Sequence, residues 1–189
     1  MRVLIACEFS GVVREAFRKR GHDAWSCDLE PAMDKSPYHF QRTVSHVWDR
    51  LSWDLLIAHP PCTHLAVSGA RWWSLRPLEQ ELAAAFFMDC IAAPVPRVCV
   101  ENPIGAMSRL YRKPDQIIQP WMFGHGETKA TCLWMRGLPL LVPTQIVEGR
   151  KPRCHYESPG IKNCLTRQQR RSITLQGIAD AMASQWGGL

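Results

Sequence analysis

Short aliphatic runs, each followed by a helical pattern, recur through the first hundred residues, and this alternation constrains the fold more than any other feature. Strands are predicted at residues 2–6, 23–28, 54–59 and 97–101, with a weak one near Thr43; helices are predicted at 12–20 and 78–91. Two strands joined through a helix run parallel, because the crossover returns the chain to the starting edge. A further strand is predicted at 129–135 and a closing amphipathic helix at 173–186. The expected class is α/β with a doubly wound, mostly parallel sheet. No repeat, low-complexity tract or Gly/Ser linker divides the 189 residues, so they are read as one domain, residues 1–189.

With 46% hydrophobic and 21% charged residues, the chain can bury an ordinary core, which excludes disordered and fibrous classes. Its longest apolar stretches fall far short of the roughly 20 residues that a bilayer span needs. The first eight residues carry one cation, five further apolar residues and then Glu8, which reads as a buried strand rather than a signal peptide. A soluble, cytoplasmic protein is expected. Eight cysteines without regular pairing fit a reducing compartment, where a thiol is packing, ligand or nucleophile. Cys154, His155 and Cys164 match no paired zinc-ligand spacing, and no metal is expected.

The net charge of +6 is concentrated. Arg150, Lys151, Arg153, Lys162, Arg167, Arg170 and Arg171 face a single acid, Glu157, so this stretch alone accounts for the excess. It lies in a Pro- and Gly-punctuated, loop-like segment at about 137–171. Its two readings are a phosphate footprint and a solvated basic face.

In doubly wound sheets, ligands bind beyond the carboxyl ends of the strands. After the first strand, Cys7-Glu8-Phe9-Ser10-Gly11 forms a turn into a helix whose free N–H groups could receive a polar ligand. The second strand ends at Asp28, which is either a ribose acceptor or a turn former. The strand at 54–59 runs into Pro60-Pro61-Cys62, where two prolines stiffen a loop bearing a thiol. The strand at 97–101 ends in Glu101-Asn102-Pro103, and its carboxylate is either desolvated and poised to hold a proton or paired to a neighbour. Cys62 and Glu101 are expected to project from adjacent strands into one cleft.

The order Phe9-Ser10-Gly11, Asp28, Pro61-Cys62, Glu101-Asn102 and a closing helix resembles the cytosine-5 DNA methyltransferases, especially their short phage and prophage forms. The resemblance implies the Rossmann-like fold of S-adenosylmethionine-dependent methyltransferases and a bacterial or phage-infected host cell. It implies a catalytic set of Cys62, Glu101, Asn102 and Lys129, with Cys62 as the nucleophile toward cytosine C6. It further implies that Phe9, Ser10, Gly11, Asp28, Thr43 and Pro60 hold the cofactor. Lys129 and Thr131 stand where the family has arginines, Val13 replaces a second glycine, and Thr43 replaces an acid. The large target-recognition domain is missing. The implied partner is DNA or a cytosine nucleotide, with the basic segment gripping phosphate and sequence selectivity relaxed.

Three other readings remain. The same chemistry could act on a mononucleotide or single strand. Pro60-Pro61-Cys62 also resembles the Asp-Pro-Pro-Tyr loop of amino methylases, although His59 and Cys62 supply neither its acceptor nor its aromatic. A catalytically degenerate fold could bind nucleic acid without turnover.

Overall fold

The computed structural model describes residues 1–152 and 165–189. Its main sheet is built from β1 (Arg2–Ala6), β2 (Asp23–Asp28), β3 (His39–Gln41), β4 (Leu55–Ala58), β5 (Arg97–Pro103), β6 (Gln116–Ile118) and β8 (Thr131–Arg136). Their spatial order is β3-β2-β1-β4-β5-β8-β6. The first five are parallel to one another, whereas β8 runs antiparallel between β5 and β6. The chain builds outward from β1 toward β3, then returns to place β4 on the other side of β1. That reversal opens a crevice at the carboxyl ends of β1 and β4.

Strand residues feed two cores alternately. Val3, Ile5, Leu55, Ile57 and Cys99 pack with α1 (Val12–Arg18) and α6 (Gln176–Trp186) through Phe17, Met182 and Trp186. Leu4, Leu56, Val98, Val100 and Trp134 face α2 (Ser45–Trp48) and α3 (Pro77–Ala92) through Trp48, Phe87 and Cys90. Burial on both faces accounts for the aliphatic β1 and β4 sequences and matches the expected doubly wound sheet. Pro77 starts α3 at the position where a missing N–H costs nothing. Among the described residues no helix is long and apolar enough to cross a membrane.

Several elements depart from the sequence reading. The strand expected near Thr43 ends at Gln41, because the Arg42 N–H turns back to the carbonyls of Asp28 and Phe40. Thr43 instead lies in the bend entering α2, its carbonyl accepting from His46 N. The loop-like segment is not loop throughout. Glu127–Thr128 (β7) pairs in parallel with Lys151–Pro152 (β9). A capping box then starts α5 (Arg167–Ser172): Thr166 Oγ1 accepts from Gln169 N at 3.2 Å and Gln169 Oε1 from Thr166 N at 2.8 Å. A short α4 (Met107–Leu110) follows β5.

A close approach of two backbones fixes the loop after β4 against the extension of β5. Ala106 N donates to the Leu65 carbonyl at 2.8 Å and Val67 N to the Ile104 carbonyl at 2.9 Å. A Cβ on Gly105 would fall 1.9 Å from the Leu65 carbonyl oxygen. Gly105→Ala must therefore push the two segments apart, and thermal unfolding should show a loss of about 1–3 kcal/mol. An unchanged melting temperature would show that this contact is not what holds the loop.

Candidate active site

Four strand ends converge on the crevice. After β1 the chain turns at Cys7, whose φ of 57° is left-handed, and again at Gly11, whose φ is 75°. This double turn buries Glu8 under the start of α1. Its Oε1 accepts from Val13 N at 2.7 Å and its Oε2 from Arg14 N at 3.2 Å, while Ser10 Oγ lies 3.4 Å from both Glu8 Oε1 and Val12 N. The free N–H groups expected here are thus already taken by the protein's own carboxylate, which corrects the expectation of a ligand at this helix end. Beneath them the Arg14 side chain is wholly buried, bonded to Glu15, Ser26 and Asp34. The Asp34 contact and the bond from Met33 N to the Phe9 carbonyl at 2.9 Å hold the loop after β2 over the turn. Asp28 opens that loop, with Oδ1 accepting from Glu30 N at 3.0 Å.

On the other side of the crevice, Asn102 Nδ2 donates to the Pro60 carbonyl at 2.9 Å, joining the ends of β4 and β5. The Cys62 carbonyl accepts from both Leu65 N and Ala66 N, so the thiol sits on a closed turn. His59, the last residue before the prolines, places Nδ1 3.1 Å from Glu101 Oε2, and its side chain is only 9% exposed. Among the described residues His59 Nε2 and Asn102 Oδ1 are buried with no hydrogen-bond partner. An open cleft of about 350 Å³, mouth included, runs beside this pair, with Lys129, Thr131 and the start of α6 on its other wall.

The charges in this cleft act on one another. Burial by itself would raise the Glu101 carboxyl, but the His59 hydrogen bond and the charge of Lys129 outweigh it and hold the group below the usual carboxylate range. Of the two alternatives for Glu101, the resting protein adopts the paired one. The Cys62 side chain reaches solvent, yet enough protein surrounds the thiol that partial burial raises its pKa. The nearby Glu101 charge raises it further, while Lys129 and Arg171 act in opposition. The thiol is therefore mainly protonated at neutral pH. Lys129 Nζ donates to the Arg171 carbonyl at 3.2 Å, so α5 and the strand-end cation are tied together beside Cys62.

No protein-family model matches the sequence, and no curated protein does. The chain is similar to a solved structure of a candidate DNA modification methyltransferase encoded within a prophage in E. coli. The two share 15% identity over 85% of this chain and 56% of that one, with a TM-score of 0.54. It also matches, at a TM-score of 0.44 and 16% identity, a variant of DNMT2 from Spodoptera frugiperda, over 80% of this chain and 54% of that one. The chain has a methyltransferase fold. It spans little more than half the length of these two solved structures.

The crevice of this methyltransferase fold brings together Phe9, Ser10, Gly11 and Asp28 on one side, and Pro60, Cys62, Glu101, Asn102 and Lys129 on the other. Thr43 is exposed beyond the end of β3. The Pro60 carbonyl is committed to Asn102. Arg171 belongs with Cys62 through charge, a placement that its position in the basic segment did not suggest. The Arg150 guanidinium lies 3.9 Å from the centre of the Trp121 ring, and Lys151 lies exposed on β9. Arg170 donates to the Leu165 carbonyl. Arg153, Lys162 and the side chain of Arg167 lie outside the described residues, as do Cys154, His155 and Cys164. His59 and Glu8 were not among the site residues expected from the sequence, although both stand beside ones that were. A polar residue at each end of an otherwise aliphatic strand was the available signal.

Alkylation of Cys62 gives a direct test of these charges. The iodoacetamide rate should rise as pH passes upward through the raised thiol pKa. Glu101→Gln, which removes a negative neighbour, should shift that rise to lower pH, and Lys129→Met should shift it to higher pH. Mass spectrometry of the Cys62 peptide reads both, and coincident profiles in all three proteins would show that these groups do not act on the thiol.

Proposed function

We propose that this protein transfers a methyl group from S-adenosylmethionine to C5 of cytosine in DNA through a covalent bond between Cys62 and C6, with relaxed sequence selectivity. The observation that supports this reading most is the juxtaposition of Cys62 and Glu101 at adjacent strand ends, joined through Asn102 and Pro60 and flanked by Lys129. C5 of cytosine is too weak a nucleophile for direct methylation, and addition of a thiol at C6 makes it enamine-like. In that addition the Cys62 sulfur bonds to C6 and N3 gains a proton. The proton lost by the thiol equals the one gained by N3, so a carboxylate between them can carry it. Glu101 is suited to the task because it rests ionised beside a protonated thiol. His59 holds the carboxylate in place, and Lys129 supplies positive charge where negative charge develops on the base. After methyl transfer, the C5 proton is lost to solvent, the bond between C6 and the Cys62 sulfur breaks, and the N3 proton returns through Glu101 to that sulfur, which restores the thiol and releases the product.

The cofactor site is also chemically selective. Glu8 fills the start of α1, so the N–H groups that receive phosphate in dinucleotide folds have no capacity left for one. A cofactor without phosphate, carrying a cationic sulfonium and ammonium, suits a turn built around a carboxylate. Phe9, Ser10 and Gly11 would hold it on this side, Asp28 would accept from its ribose hydroxyls, and Thr43 and Pro60 would border its base; the bound cofactor supplies an electrophilic methyl group.

The basic segment would hold the DNA backbone, with Arg150, Lys151, Arg153, Lys162, Arg167, Arg170 and Arg171 as its cations. Only residues 137–166 separate β8 from α5, too few for a large recognition element, so phosphate contact outweighs base readout.

Incubation with S-adenosylmethionine and DNA containing 5-fluorocytosine should trap a covalent adduct at Cys62, because fluorine blocks the final elimination. Cys62→Ser should lose both the adduct and methyl transfer. Turnover retained in that variant would refute the thiol mechanism. By calorimetry, Asp28→Ala should weaken S-adenosylmethionine binding by about 1–3 kcal/mol, and unchanged affinity would place the ribose elsewhere.

A further inference from the structure

A second cavity opens on the other side of the Cys62 turn. The chain from Val67 to Leu75 forms a 3-10 segment carrying two adjacent tryptophans, and with Thr63, His64, Gly69 and Arg76 they line an open cleft of about 480 Å³, mouth included. Trp72 is 49% exposed, and the Arg71 guanidinium lies 5.0 Å from its ring centre. Trp73 lines the same cleft, and its indole N–H is buried with no acceptor among the described residues. Among the described residues no acidic side chain lines the cleft. Its floor is anchored: the Cys62 carbonyl accepts from Leu65 and Ala66, the His64 carbonyl accepts from Gln80 Nε2 at 3.2 Å, and Gly69 sits where a Cβ would lie 3.1 Å from the Thr63 carbonyl oxygen.

An exposed flat ring with the Arg71 guanidinium beside it, the Arg76 guanidinium and an imidazole form a chemical set that suits an unstacked nucleobase with its phosphate. We propose that this cleft binds the nucleotide next to the target cytosine in a single-stranded or locally unpaired segment, with its base stacked on Trp72 and its phosphate at Arg76. The inference rests on the preceding reading in taking Cys62 as the point where cytosine reacts; Thr63 and His64 then lead the strand directly from that point into the cleft. It commits the substrate to a polynucleotide, since a mononucleotide leaves this half of the surface uncovered.

The probe is a five-nucleotide single strand with one central cytosine and 2-aminopurine beside it, compared with dCMP. Binding to the wild-type protein should quench the 2-aminopurine fluorescence, and the strand should bind more tightly than dCMP. Trp72→Ala should abolish the quenching and weaken strand binding about tenfold while leaving dCMP affinity unchanged, and Trp72→Phe should restore part of both. Arg76→Gln should weaken the strand and flatten its salt dependence. Quenching and strand affinity equal in wild type and Trp72→Ala overturn the proposal, as they would if the patch served a protein partner or a lipid surface. If a 5-fluorocytosine strand forms its Cys62 adduct without any dependence on Trp72, the cytosine reading stands and this one falls. If Trp72-dependent strand binding persists where no adduct forms, the cleft stands and the role of Cys62 falls.

Discussion

The hydrogen bond from Asn102 to the Pro60 carbonyl is the contact on which the site depends. It bridges two strand ends that the sheet alone would leave as separate loops, and it does so in a buried setting where losing the partner costs about 1–3 kcal/mol. With that bridge in place, the Gly105 approach continues the contact outward, and Cys62 is held on a closed turn within electrostatic reach of Glu101. Parallel strands supply the register that makes this possible: Ala58 pairs with Val100, so His59 and Glu101 follow at the same level, where β4 ends while β5 continues against β8.

Charge in the crevice is arranged in opposing pairs rather than as one sign. His59 stands against Glu101, Lys129 and Arg171 against the effect of Glu101 on the thiol, and two backbone N–H groups against Glu8. Burial also raises the Glu8 carboxyl, with His59 and those N–H groups acting in opposition. His59 thus lies electrostatically between the turn after β1 and the end of β5. On the β1 and β2 side of the crevice the wholly buried Arg14, through its bond to Asp34, fixes the loop that Asp28 begins.

The sequence by itself determined the class of fold and the identity of the strand-end residues. The aliphatic runs at β1, β4 and β5 could be buried only in the middle of a sheet covered on both faces, and residues leaving such strands at their carboxyl ends fall in a crevice wherever the order reverses. Cys62, Glu101 and Asn102 were legible for that reason. Tertiary structure decided everything that depends on residues distant in the chain meeting one another. The pairing of His59 with Glu101 spans 42 positions, as does the bond of Lys129 to the Arg171 carbonyl, and no local pattern encodes either. The protonation of Glu101 was open for the same reason: burial and a cationic neighbour push a carboxyl in opposite directions, and only their distances decide which wins. The start of α1 was read as open to a ligand because local sequence shows N–H groups and hides the turn that swings Glu8 beneath them. The segment holding Thr166 and Gln169 was read as loop, so both the capped α5 and its approach to Cys62 required the fold.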